Sequence, residues 1–272
     1  MSASTREPMV SGAVAYDELA ARYDRVPLEN RINGYMRRVS LARILAAFPP
    51  GSRILEIGCG TGDEALALAS RGATVVALDA SPEMIRIARR KAADRGLDDR
   101  ATFLPAEAKD LPDLADSLSG PFDGGYASFS LAYEPDLAPV ARGLDALLRP
   151  GASFLASVPS RLCLVELALA LGTAHPAFAG RRLRPEHGHK VGEHVVPIRT
   201  YTPRAFAKAM GPHFSLRRLE ALPAVVPPPY MNRVYARLDG VADLLERVDA
   251  VLRPRAPFRS LGDHFLAEFV HE

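Results

Sequence analysis

Arg53-Ile54-Leu55-Glu56-Ile57-Gly58-Cys59-Gly60-Thr61-Gly62 is the stretch on which the reading of this 272-residue chain turns. Ile54, Leu55 and Ile57 around one acid define a short buried strand, and three glycines in five positions define the turn after it. Glycine accepts positive φ and lets a ligand lie against main-chain atoms. A helix then opens with Asp63-Glu64 in its first turn and Ala65, Leu66, Leu68 and Ala69 on its inner side. Strand, glycine-rich turn and helix, in that order, form the geometry of a nucleotide site in an α/β unit.

The spacing argues against a dinucleotide. A pyrophosphate fingerprint needs G-x-G-x-x-G, with the phosphate on the helix N-terminus. Here the spacing is G-x-G-x-G, and Asp63 stands where the last glycine would fall. A phosphate would meet Glu56 on one side and Asp63-Glu64 on the other, so like charges would oppose it. The loop suits a ligand that carries positive charge and no phosphate.

The same stretch, E-x-G-C-G-T-G, closely resembles motif I of the class I S-adenosylmethionine-dependent methyltransferases. The resemblance implies S-adenosylmethionine as cofactor, with its ammonium and sulfonium centres. It places Glu56, Gly58, Cys59, Gly60, Thr61 and Gly62 at the cofactor. As fold class it implies an α/β, Rossmann-like seven-stranded sheet with helices on both faces and the last strand antiparallel. In this chain a substrate-side insertion is added.

Outward from the motif, Thr74-Val75-Val76-Ala77-Leu78 reads as a second buried strand ending at Asp79. An ionised carboxylate at a strand end is placed to accept two hydrogen bonds from a ribose diol. Ala80 follows, and Ser81-Pro82-Glu83 starts a helix with a capping oxygen, a first-turn proline and an acid favoured by the dipole. That helix runs to about Arg95 and stops at Gly96. By the resemblance Met84 packs against adenine, although core packing is an equal reading. After a third strand at Thr102-Phe103-Leu104, Ala106-Glu107-Ala108 matches the family's acid-Ala pair, the acid accepting from the adenine amino group. Aspartate is the more usual acid there, and a solvated glutamate is the competing reading.

Pro121 to Ala127 resembles the family's fourth strand, which puts Ser128 and Phe129 beyond its carboxyl end, where ligands of open α/β sheets sit. The Asn/Asp-Pro-Pro-aromatic tetrad of base-modifying relatives is absent. Phe129 and Tyr133 instead suit the wall of a substrate pocket, and Asp123 serves the strand end. A helix over 136–148, the turn Arg149-Pro150-Gly151 and a fifth strand from Ala152 to Val158 complete the resembling core.

Upstream, residues 13–48 read as helical, with Tyr16, Leu19, Ala20 and Tyr23 at helical spacing. Y-D-x-x-A-x-x-Y-D is a frequent opening of the family's cofactor cover, and Tyr16 and Tyr23 match its tyrosines. Packing of a cap helix by the same aromatics is the alternative. Asn30, Asn33 and Arg37 or Arg38 also suit positions facing the site.

Downstream, Leu162 to Leu171 is an apolar helical segment, Arg181 to Arg184 a basic cluster, and His187, His189 and His194 lie in a loop. Pro203 opens a helix behind Thr202, His213 to Leu219 alternates as a sixth strand, 238–252 is an amphipathic helix, and His264 to Val270 reads as the last strand. The chain is thus read as a single methyltransferase domain over 1–272. It comprises N-terminal cap helices over 13–50, a cofactor core over 51–160, a substrate-side insertion over 160–212, and C-terminal strands and a helix over 213–272.

Composition narrows the function further. A net charge of +2 from 34 basic and 32 acidic residues does not favour nucleic acid as a partner. Two cysteines, Cys59 and Cys163, make no disulfide framework and suit a reducing cytoplasm. Met1 to Pro8 is polar, without the apolar core of a signal peptide, and no apolar run is long enough to span a bilayer. The three clustered histidines match no zinc spacing, so no metal is expected.

The reaction implied is in-line displacement of the sulfonium methyl by a nucleophile of a small, largely apolar metabolite, in the manner of small-molecule methyltransferases. A general base is needed only where the acceptor must lose a proton. His175, His187, His189, His194 and Tyr133 are candidates, and spacing selects none. The apolar segment 162–171 either packs into the core or roofs an apolar pocket, with Glu166 or the Arg181–Arg184 cluster orienting a polar end. A non-catalytic S-adenosylmethionine-binding protein for regulation or assembly is the second reading, because cofactor motifs report binding and not turnover.

Overall fold

The computed structural model describes residues 9–173, 175, 180 and 182–272. The polar stretch Met1 to Pro8 and Arg181 of the basic cluster lie outside the described residues. Five strands run parallel: β1 (Arg53–Ile57), β2 (Thr74–Asp79), β3 (Ala101–Pro105), β4 (Phe122–Ser128) and β5 (Leu148–Pro159). A separate antiparallel hairpin, β6 (Glu186–Val191) and β7 (His194–Arg199), precedes β8 (Phe214–Leu222) and β9 (His264–His271). The main sheet has seven strands in the order β3-β2-β1-β4-β5-β9-β8, with β9 antiparallel to both neighbours. The expected α/β fold with an antiparallel last strand is what the chain adopts.

Alternation along the strands builds two cores. Leu55, Ile57, Val76 and Leu78 point to one face, where they meet Val140 and Leu144 from the helix at Ala138–Leu147 and Phe206 from the helix at Pro203–Ala209. Ile54, Val75 and Ala77 point to the other, against Ile44, Leu66, Ile85 and Ala88. Those four residues belong to the helices Arg31–Ala47, Asp63–Ala69 and Pro82–Asp94. In chain order the helices that matter below are α1 (Gly12–Leu19), α2 (Arg31–Ala47), α3 (Asp63–Ala69), α4 (Pro82–Asp94), α5 (Leu164–Thr173) and α6 (Asp239–Leu252).

Local chemistry sets the element ends. The Asn30 side chain accepts from the N–H groups of Ile32 and Asn33, both at 3.1 Å, and starts α2. Ser81 Oγ accepts from Met84 N at 3.1 Å and starts α4. Asp123 serves its strand as expected: it accepts from Arg53 N at 2.7 Å and pairs with Arg149 at 3.1 Å, which stitches β4 to the start of β1.

Two expectations for the insertion change. The histidine loop is a hairpin, folded about the two-residue turn Gly192-Glu193, with Gly192 at φ +57°. The apolar segment is helical, but it is neither core nor roof. Glu166 is its only buried residue between Leu164 and Thr173, and Leu171 is 85% exposed. The carboxylate turns inward because Arg182 offers it a buried partner at 2.7 Å, and Leu164, Leu167 and Leu169 are left half-buried.

Candidate functional site

A cleft of about 1550 Å³ opens across the carboxyl ends of β1, β2, β4 and β5, where the strand order reverses on either side of β1. Its floor is the motif turn. Gly58, Gly60 and Gly62 all hold positive φ, at +75°, +52° and +81°. A Cβ on Gly58 would lie 2.2 Å from the Ser130 Cβ, so this position excludes any side chain. Ser130 Oγ in turn donates to Ile57 O at 2.6 Å and ties the loop after β4 to the turn.

Gly58, Gly60, Asp79, Ala80 and Met84 line the cleft near the turn. Ala106, Glu107 and Ala108 line it beyond β3, and Ser128 and Phe129 line it beyond β4. Tyr16 and Tyr23 close it from the N-terminal side, and Asn30, Asn33 and Arg37 border it as well, whereas Arg38 instead pairs with Glu246 at 3.1 Å. The remaining motif residues do not reach the cleft. Glu56 is 1% exposed, with Oε2 unpartnered among the described residues. Burial, together with the Glu64 carboxylate, pushes its carboxyl well above the usual range. Cys59 is buried, Thr61 donates to Asp24, and Gly62 packs on Phe103 and Ala88. These four build the turn from behind.

Asp79 anchors the front of the turn. Its two carboxylate oxygens accept from Gly60 N at 2.7 Å and Ser81 N at 2.9 Å. Burial raises its pKa, and the two N–H groups pull the other way without cancelling that rise. Cations beside the turn are already committed. Lys91 lies 2.7 Å from Asp24 and 2.8 Å from Asp63, and Arg37 bonds the Tyr23 hydroxyl with Glu64 at 3.8 Å. Asp79 is thus the carboxylate that the turn presents to the cleft, whereas Glu56, Asp63 and Glu64, expected to flank the ligand, lie outside its lining; among the described residues no cation is left at the turn to receive a phosphate. S-adenosylmethionine carries no phosphate and fits this turn.

The cover is held by side-chain pairs. Asp17 of α1 accepts from Ser81 Oγ at 2.6 Å and Glu83 N at 3.0 Å, so the N-terminal helix is fastened to the start of α4. Tyr16 sits edge-on to Tyr23 and Tyr133, with ring centres 5.9 and 5.3 Å away, and its hydroxyl bonds that of Tyr133. The hairpin lies over α1: Val191 and Val196 pack on Ala15, Val10 N donates to Val195 O at 3.1 Å, and Glu18 meets His194 at 2.8 Å.

Of the expected base candidates, His175, His187 and His189 line the cleft and His194 is engaged with Glu18. Tyr133 is ill-suited, since burial pushes its hydroxyl up to about 12. Among the described residues no three His, Cys, Asp or Glu side chains come together as a metal site.

At the far end of the cleft Glu166 and Arg182, expected there as a polar end, are joined by two residues that the sequence did not single out: Asp263, buried like them, and the partly exposed His264. Arg182 bonds the carboxylates of both Glu166 and Asp263, and Asp263 holds His264 Nδ1 at 2.7 Å. Burial alone would raise the Asp263 carboxyl, but Arg182 and His264 hold it well below the usual range. These four residues span nearly a hundred positions, so no local pattern connects them.

Comparison with known proteins agrees with this geometry. A family profile described as "Methyltransferase domain" matches residues 54–151. A demethylmenaquinone methyltransferase of Clavibacter sepedonicus is 40% identical over 135 residues, covering 49% of this chain and 51% of that protein. A ubiquinone biosynthesis O-methyltransferase of Xylella fastidiosa (strain 9a5c) is 28% identical over 207 residues, covering 76% of each. The match to the first of these curated relatives thus spans about half of that relative's length. An S-adenosylmethionine-dependent methyltransferase structure from Mesorhizobium loti superposes with a TM-score of 0.57 at 22% identity, covering 88% of this chain and 100% of that one, a likeness of fold. Turn, strand order and matched profile lead to one assignment: residues 54–151 carry a methyltransferase domain, with S-adenosylmethionine as its cofactor.

Proposed function

We propose that the protein transfers the methyl group of S-adenosylmethionine to a small, largely apolar molecule. The observation that carries this reading is the size and polarity of one cleft. Single small-molecule pockets run from about 300 to 1,000 Å³. A cleft of about 1550 Å³ has room for a cofactor over the glycine turn and an acceptor beside it. Phe129, Leu131, Tyr133, Val191 and Ile198 give the second compartment apolar walls. The roof over that compartment is the hairpin, not the Leu164–Thr173 helix. Relatives named for quinone biosynthesis favour an acceptor with an aromatic ring and an apolar tail.

In this reading Gly58 and Gly60 admit the amino-acid part of the cofactor, and Asp79 accepts from its ribose hydroxyls. Met84 packs against adenine, Ala106, Glu107 and Ala108 border the adenine edge, and Ser128 and Phe129 face the reacting end. Glu107 is half-solvated and paired with Lys109 at 2.7 Å, so its contact with adenine requires that pair to open. Tyr16 and Tyr23 exclude water from above. Bound there, the cofactor supplies an electrophilic methyl on a good leaving group. The chain's own contribution is to align the acceptor and keep water out. The buried, unpaired thiols of Cys59 and Cys163 support the cytoplasm as the compartment.

The test is incubation of purified protein with isotope-labelled S-adenosylmethionine and a cell extract, followed by mass spectrometry. S-adenosylhomocysteine should form together with one or more metabolites that have gained a labelled methyl. Cofactor binding by calorimetry without any product would instead support a binding protein without turnover.

A further inference from the structure

We propose that His264, oriented by Asp263, is the general base of this site, and that the acceptor is therefore a hydroxyl compound rather than a carbon nucleophile. The inference rests on the methyl-transfer reading above and deepens it. Among the histidines that line the cleft, His264 is the one standing on the seven-stranded sheet; His187 and His189 belong to the hairpin. It begins β9, opposite Pro159 at the carboxyl end of β5. Its ring meets the Phe129 ring edge-on at 5.4 Å. Phe129 itself follows β4 and holds φ +59°, a backbone state that costs a non-glycine residue energy and is common at functional sites. Its N–H donates to Ser157 Oγ at 2.9 Å, which fixes the ring beside the imidazole.

The imidazole is held from behind at every level. Asp263 N donates to Pro223 O at 2.9 Å, and Asp263 O accepts from Ser160 N at 3.0 Å and from Arg182 Nη1 at 2.8 Å. One Asp263 carboxylate oxygen takes Arg182 Nη2 and the other takes His264 Nδ1. An ionised carboxylate only accepts, so Nδ1 carries the proton and the Nε2 lone pair is left for a partner on the cleft side. Arg182 is shared between the Glu166 and Asp263 carboxylates, which fixes both in place behind the imidazole. Tyr230 donates to the second Glu166 oxygen at 3.1 Å, which closes the network. An Asp–His pair of this kind sets tautomer and orientation while the ring moves the proton.

In the step itself the acceptor oxygen forms a bond to the methyl carbon as the carbon–sulfur bond breaks, and the electron pair of that bond passes to sulfur. The hydroxyl proton moves to His264 Nε2 and leaves later to water. Products are a methyl ether, S-adenosylhomocysteine and one proton, so atoms and charge balance.

The test has two readouts. First, 15N NMR of histidine-labelled protein with S-adenosylhomocysteine, with the His264 signal assigned by its loss in His264→Gln, should show the Nδ1–H tautomer. Second, labelled methyl transfer to the cell extract should fall about 100-fold or more in His264→Gln, the low end of general-base contributions. S-adenosylhomocysteine affinity should stay within about twofold of wild type, and added imidazole should restore part of the rate to His264→Ala. Asp263→Asn should lower kcat and shift the tautomer without altering that affinity. An Nε2–H tautomer, a His264→Gln rate above half of wild type, or a methyl placed on carbon would each overturn the base. A wild-type protein that labels nothing would overturn methyl transfer itself, and the base with it.

Discussion

Replacing Asp79 by Asn tests whether the motif turn is prepared for its ligand by one carboxylate. Asp79 accepts two backbone N–H bonds, from Gly60 at 2.7 Å and Ser81 at 2.9 Å. Asparagine has one acceptor oxygen, so the other bond is replaced by an amide N–H facing a backbone N–H. The turn would keep one anchor and lose the charge on it. A hydrogen bond to a charged group is worth about 1.5–3 kcal/mol, which corresponds to roughly a 10- to 150-fold loss of affinity if the turn must reorder on binding. The ribose contact proposed for the same carboxylate weakens in the same direction. Isothermal calorimetry with S-adenosylhomocysteine measures the loss, and circular dichroism establishes that the sheet is intact. An intact variant binding within about twofold of wild type would refute both the anchoring and the ribose assignment. Tighter binding of NADH than of S-adenosylmethionine by the wild type would refute the reading of the turn altogether.

Two further predictions concern the cover and the buried cluster. Asp17 caps α4 from the N-terminal helix, and the hydrogen bonds from Ser81 Oγ and Glu83 N lower its pKa. A lowered folded-state pKa gives stability that is present above the unfolded value, about 3.9, and is lost as pH falls through the folded one. The melting-temperature advantage of wild type over Asp17→Asn should therefore be full above about pH 5 and shrink steadily below about pH 4; an advantage that grows toward low pH would contradict the assigned bonds. In the second case, Leu167→Asp should leave folding, cofactor affinity and methyl transfer unchanged, because Leu167 is only half-buried and does not line the cleft. Glu166→Leu should cost about 3–5 kcal/mol in chemical denaturation, since it breaks a buried ion pair from one side. Unfolding by Leu167→Asp, with Glu166→Leu stable, would reverse the packing described for this helix.

The parts legible in the sequence were those with short-range causes. The strand at 53–57, its glycine turn and the helix behind it follow from residue order alone, as do the Ser81 and Thr202 caps and the antiparallel strand at the C-terminus. The glycine motif told which stretch bends around a ligand. It did not tell which of its side chains face that ligand, and Glu56, Cys59 and Thr61 face away into the protein. The hairpin has a readable signal, the Gly192-Glu193 turn between Lys190-Val191 and His194-Val195-Val196, whereas the spacing of the three histidines carries no information on strand pairing. Helix 164–173 is legible as a helix but not in its packing, because apolar content normally marks the buried face. Arg182, fixed in place by Ser160 and Asp263, reversed that rule by recruiting Glu166 inward.

The same long-range pairing explains how one sheet can present the cofactor site and the acceptor site proposed above side by side. The turn end of the cleft takes its character from residues within about thirty positions of one another, Glu56 to Glu83, and its acids are set by local backbone geometry. The far end is assembled from α5, Arg182 beyond it, and the Gly262–His264 corner leading into β9. Gly262 has no room for a Cβ, which would sit 2.5 Å from His264 O and 2.6 Å from Pro223 O, so this corner can close only without a side chain. Substitutions in the hairpin or in the half-exposed face of α5 can therefore reshape the apolar compartment without touching the turn. Acceptor choice and cofactor binding are separable in this fold because the network of Glu166, Arg182 and Asp263, and not the glycine turn, holds the base at the acceptor end.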